Sequence, residues 1–160
     1  MTRRFGDRAT FAVEVGDVES PHLRTVDVWA AGKQLTTDDN SAYLPSLCRA
    51  MRSTAAQVRQ RNVRACPLPG RSPEAVFRLL EQDETELREV FWFLQWGETL
   101  DNVSRYAYLD DDLVLVFAFW RPTHPFPDDL GRIFVATLPP DDFATTVLTA
   151  ADLLDAEPVR

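Results

Sequence analysis

Two histidines, two cysteines and a scatter of carboxylates are the residues in this chain equipped for covalent or metal chemistry. Nucleophilic catalysis asks for a Ser or Cys beside a His. His22 follows Pro21 and His124 precedes Pro125, so both are expected in loops, and no G-x-S-x-G elbow, phosphate loop or dinucleotide fingerprint occurs. A zinc site asks for about four ligands at set spacing. The chain has neither C-x-x-C nor H-x-x-x-H, and His124 with Asp128 makes only a two-ligand fragment. Glu98 and Asp101 are a carboxylate pair able to do acid–base work, although such pairs are common in loops. A small hydrolase using His124 and an acid is one reading. The main expectation is no catalytic residue, no metal and no cofactor.

Any such residues must be positioned by the elements that the sequence pattern implies. Residues 9–36 read as a three-stranded meander. Phe11, Val13 and Val15 alternate on one face of a half-buried first strand, Leu23 to Ala30 forms the second, and Gln34-Leu35-Thr36 returns after a turn at Gly32. Asp38 to Ser41 offers N-caps for a helix from about Leu44 to Gln60, with Leu44, Leu47, Met51 and Val58 on its stripe and Pro45 in its first turn. Ser72-Pro73-Glu74 starts a second helix facing inward through Val76, Phe77 and Leu80. Residues 85–96 fit either period, and the expectation is a short helix or turn through Glu89, then a strand. Further strands follow at Arg105 to Leu109, Leu113 to Trp120 and Arg132 to Leu138, and Pro139-Pro140-Asp141-Asp142 opens a last helix carrying Phe143, Val147, Leu148 and Leu154. Strands and helices come in runs rather than alternating, and the turns are tight. The fold class expected is α+β: antiparallel N-terminal and C-terminal meanders packed with about three helices, in one domain over residues 1–160. The meander occupies about 9–36, helices about 44–82, and the C-terminal strands and helix about 90–155.

Composition narrows the function. At 160 residues the chain can bury about 70% of its unfolded surface without a metal or disulfide. Eleven per cent aromatic residues argue against disorder. A pI near 4.7 argues against nucleic-acid binding, which needs clustered positive charge. The longest apolar run, Leu113 to Trp120, is far short of the about 20 residues that a membrane span requires. Met1 to Asp7 holds two arginines with no apolar stretch behind them, so no export signal is expected. The expected compartment is the cytoplasm, with Cys48 and Cys66 as buried thiols. Charge is unevenly spread. Residues 1–71 hold 11 basic and 7 acidic side chains, net +4; residues 72–160 hold 6 and 18, net −12. The arginines of the 49–71 stretch are expected to be partly neutralised by that acidic half. The remaining negative field would speed encounter with a basic partner. Asp110, Asp111 and Asp112 at a hairpin tip, Asp128 and Asp129 after Pro127, Glu98, and Trp96 are the candidate partner-binding residues; Trp92 is comparable to Trp96, both being read as core aromatics first and interface anchors second. Leu113, Leu115, Phe117 and Phe119 share one face of their strand; Val114, Val116, Ala118 and Trp120 share the other. Both faces need cover, from elements of the chain, a second copy or a partner.

Phe5-Gly6-Asp7 followed by Thr10-Phe11-Ala12-Val13-Glu14 resembles the opening of a family of bacterial polymorphic-toxin immunity proteins, of the contact-dependent-inhibition and type VI kind. Trp29-Ala30-Ala31-Gly32-Lys33 is similar to that family's next hairpin. Gly97 to Asn102, the strand ending Phe119-Trp120, and Phe143 with Val147 are similar to its C-terminal half. Leu100 departs from the pattern, standing where an aromatic is expected, and the basic 49–71 region has no counterpart. The resemblance implies a small cytoplasmic α+β protein that binds and neutralises a cognate toxin domain and carries no catalytic residues. The competing readings are a self-associating structural or adaptor module, for which a homo-oligomer is possible, and the small hydrolase above.

Overall fold

A computed structural model describes residues 2–156. Its first sheet comprises β1 (Arg3–Asp7), β2 (Phe11–Ser20), β3 (Leu23–Ala30) and β4 (Lys33–Gln34) in that order, with β5 (Ser41–Tyr43) pairing the start of β3. All pairings are antiparallel, and the register sets Val13 opposite Val28 and Phe11 opposite Ala30. Strand β1 is an addition to the expected meander. Its sequence, RRFGD, has a single apolar residue, and it forms because the outer edge of β2 has backbone donors and acceptors to satisfy. Strand β2 is also more buried than expected. Phe11, Val13 and Val15 enter the core, and on the other face Glu14 is covered by Arg4 and Arg8. Gly6 makes the close β1–β2 approach possible. It sits at φ +88°, and an added Cβ would collide with the Phe11 carbonyl oxygen and come within 2.8 Å of Thr146 Cγ2. Gly6→Ala is therefore expected to lower stability by about 2–3 kcal/mol, read as a drop in the denaturant midpoint.

Helix α1 (Leu44–Arg59) has Pro45 in its first turn, but its N-cap is Tyr43, without a side-chain cap, because β5 takes up Ser41 to Tyr43. Helix α2 (Pro73–Gln82) starts as its sequence implies: the Ser72 hydroxyl accepts from the Ala75 amide at 3.1 Å. Residues 85–96 do not form a strand. A 3₁₀ turn at Leu87–Phe91 leads into an extended segment that touches the neighbouring sheet through one bridge, Trp92 to Tyr106. The C-terminal sheet therefore has three strands: β6 (Val103–Asp110), β7 (Asp112–Phe119) and β8 (Phe134–Leu138). Helix α3 (Pro140–Ala156) packs along α1 and across β1 and β2. The architecture is α+β, with three helices and two antiparallel sheets. No described helix is long and apolar enough to cross a membrane.

Both faces of β7 are covered from within the chain. Leu113, Leu115, Phe117 and Phe119 join a continuous core that runs from Phe11 to Leu154 and includes both sheets, α1 and α3. Val114 and Val116 join a second cluster beneath α2, with Val76, Phe77, Leu80, Tyr106 and Tyr108. Trp120, expected as the end of this strand, lies beyond it and is exposed. Cys48 is buried, which pushes its thiol up to about 11, whereas Cys66 is only half-buried; both are free.

Candidate functional site

The candidate partner-binding residues do not form one patch. Asp110, Asp111 and Asp112 are the β6–β7 hairpin tip, with Asp111 in the left-handed region at φ 61°. Glu98 is exposed in the 3₁₀ turn Glu98–Leu100 that precedes the opposite end of β6. Seven residue steps along β6 separate the two ends by about 23 Å. Asp128 is exposed. Its neighbour Asp129 is only 3% exposed and turns inward, and Trp96, at 5%, donates its indole N–H to Thr54 Oγ1 at 3.0 Å. Those two are interior residues, not surface contacts. A single residue step, with the backbone turning at Pro127, decides which aspartate of the pair meets solvent.

Asp129 holds the two halves of the chain together. Its Oδ1 accepts from Lys33 Nζ at 2.9 Å, reaching back to β4, and its Oδ2 lies 3.1 Å from His124 Nε2. Burial pushes the carboxyl up, but the Lys33 and His124 hydrogen bonds outweigh it, and its pKa falls below the usual value. The carboxylate is therefore an acceptor, so Nε2 carries the proton and donates. The His124 ring stacks on Phe119 with centroids 4.0 Å apart. A cavity of about 160 Å³ beside this cluster is lined by Trp29, Gly32, Lys33, Gln34, Phe126 and Asp129, not by His124. His124 pairs with Asp129 rather than with Asp128, and no group of three His, Cys, Asp or Glu able to hold a metal occurs among the described residues.

The ion pairs sort the charges. Arg52 on α1 meets Asp152 and Asp155 on α3, and Arg61 meets Asp141 at 2.9 Å. This is the neutralisation expected for the arginine-rich stretch. Glu14 is held below the usual carboxylate range by its hydrogen bond from Arg8, with Arg4 adding to it, and Arg121 pairs with Asp38. None of these pairs involves residues 74–112. That segment holds eleven acids and three arginines, a balance of −8 that equals the net charge of the whole chain.

Within it, residues 83–93 form a strap between α2 and β6. Asp83 accepts from the Thr85 hydroxyl at 2.8 Å and from the Arg88 amide, which closes the turn after α2. Phe91 is buried against the α2 cluster, and the Phe93 amide bonds the Arg105 carbonyl at 3.3 Å. Between these anchors, Leu87, Val90 and Trp92 stand 40%, 45% and 46% exposed. Trp92 borders three clefts. One, of about 470 Å³, includes Glu81, Arg88, Asp101 and Arg105 in its walls; a second, of about 480 Å³, includes Arg61, Arg64, Val90 and Ala107; a third, of about 210 Å³, includes Ser53, Thr54 and Gln57. The Tyr106 hydroxyl donates to Glu81 Oε1 at 2.8 Å, and burial followed by the Glu81 contact raises its pKa. Arg105 is fixed by bonds to the Leu94 and Val103 carbonyls, and burial lowers its pKa.

Of this trio, Trp92 is comparable to Trp96 in the sequence, whereas the exposure of Leu87 and Val90 is what sequence reasoning missed, because residues 85–96 fit a helix and a strand alike. The available signal was their position: Leu87 and Val90 lie inside a run of acids, Glu84 to Glu89, where a core-facing stripe is hard to seat. Compared with protein-family models, curated proteins and solved structures, the chain finds no match.

Proposed function

We propose that this chain is an immunity-type inhibitor that binds a cognate toxin domain in the cytoplasm and neutralises it by forming a tight protein–protein complex. The observation that carries this reading is the segment 74–112, whose charge of −8 is offset by no ion pair among the described residues. Elsewhere Glu14, Asp38, Asp129, Asp141, Asp152 and Asp155 are consumed in pairs, several of which tie distant elements together. Here they face solvent beside exposed apolar side chains, which suits a cationic protein surface. The resemblance of Phe5 to Glu14 and of Gly97 to Asn102 to polymorphic-toxin immunity proteins supports the same reading. Self-association has less behind it, since both faces of β7 are filled and a two-fold contact through the strap would set its acids against themselves. The hydrolase reading needs His124 at a reaction site, and the ring is instead packed on Phe119 and bonded to Asp129.

The test is co-expression with the product of the neighbouring gene, which this reading expects to carry the toxin domain. Cells producing both are expected to grow, and cells producing the toxin domain alone to die. Equal killing with a folded, soluble inhibitor present would sink the reading.

A further inference from the structure

We infer that the ridge Leu87–Val90–Trp92 is the docking surface for that partner, with Trp92 as its anchor and a cationic, partly apolar protein face as its occupant. The inference rests on the immunity-type reading and adds where the partner sits. Three large apolar side chains left in water within six residues are unusual in a chain that buries Phe91, Phe93, Leu94 and Trp96 in the same stretch. They are not exposed through looseness: the Asp83 turn, buried Phe91 and the Trp92–Tyr106 bridge hold the strap at both ends. Little ordering remains to be done on binding, which favours affinity.

Charge selects the occupant. Residues 81–92 carry Glu81, Asp83, Glu84, Glu86 and Glu89 against one base, Arg88, with none of them in an ion pair among the described residues, while Arg61 and Arg64 share a cleft with Val90 and Trp92. A second copy of this chain would bring five more acids to the contact. A Lys- or Arg-bearing face meets the acids, and its cations can lie over the Trp92 ring. Of the clefts that Trp92 borders, the one with Glu81 and Asp101 in its walls gives such a face somewhere to insert. Rival surfaces are weaker. The Asp110–Asp112 tip has no exposed aromatic, and Trp120 already carries Arg121 on its ring at 5.2 Å and donates its N–H to the Asp101 carbonyl.

The experiment titrates the full chain and its variants against the toxin domain encoded by the adjacent gene, with thermal melts confirming that each variant is folded. Trp92→Ala is expected to weaken binding about 30-fold or more. Glu86→Lys combined with Glu89→Lys is expected to slow association about tenfold at low salt, with the difference closing at high salt. Trp120→Ala is the control and should change affinity less than about threefold, the scale of a contact outside the hot spot. If the wild-type chain binds and Trp92→Ala binds as tightly, the ridge is wrong while the immunity-type reading stands. If the wild-type chain does not bind, both fall. A dimer of the free chain by light scattering that Trp92→Ala reduces to a monomer also overturns the inference.

Discussion

Replacing Phe143 by alanine is expected to lower the unfolding free energy by about 3–5 kcal/mol and the melting temperature by roughly 10 °C. Phe143 is fully buried in the first turn of α3, with ring centroids 4.7 Å from Phe11 on β2 and 5.3 Å from Phe93 on the strap. The three rings belong to three separate parts of the chain, so none can collapse into the space without moving its own element. Phe143→Leu, which keeps most of the volume, should lose less than half as much. Equal losses for both variants would show that the site depends on ring geometry rather than on filled volume. Differential scanning calorimetry at one pH separates the outcomes.

The second large effect is expected at Asp129. Asp129→Ala leaves Lys33 and His124 without their shared acceptor and should destabilise by about 2–3 kcal/mol. That is below the range for a fully buried pair, because the Lys33 side chain is 36% exposed. The pH dependence has a definite sign. The Asp129 pKa is lower in the folded chain than in the unfolded one, where it is about 3.9. Its contribution is therefore complete above about pH 4 and disappears as pH falls through the lower, folded value. Glu14, lowered by Arg8 and Arg4, adds in the same direction. The stability gap between wild type and Asp129→Asn should persist down to about pH 4 and shrink in stronger acid. A gap that keeps widening below about pH 4 would mean that the carboxyl is protonated in the folded state.

Local signals accounted for much of the fold. Ser72 before Pro73, Pro45 near the start of α1 and two acids opening α3 are features whose effect is complete within one helical turn, so they can be read without knowing the neighbours. The eight-residue apolar run of β7 is of the same kind. Strand β1 was illegible because Arg3 to Asp7 has no strand pattern of its own; its ladder is supplied by β2. Residues 85–96 were illegible for the opposite reason. Their apolar residues satisfy a helix and a strand equally, and the choice is made by contacts with α2 and β6 that lie outside the segment.

The site divides in the same way. An acidic C-terminal half, a basic stretch to neutralise in part, and the absence of motifs for a nucleophile or metal were all properties of the composition. Which charges remained free was not, because pairing depends on what α1 meets, and α1 meets α3 rather than α2. Sequence alone determined the helices, the apolar strand β7 and the excess of negative charge, since each follows from residues a few positions apart. Only the tertiary structure decided that Trp96 and Asp129 go inside while Trp92 and Asp128 stay outside, because burial depends on the partners that distant segments bring, and neighbouring residues of like chemistry compete for the same interior space.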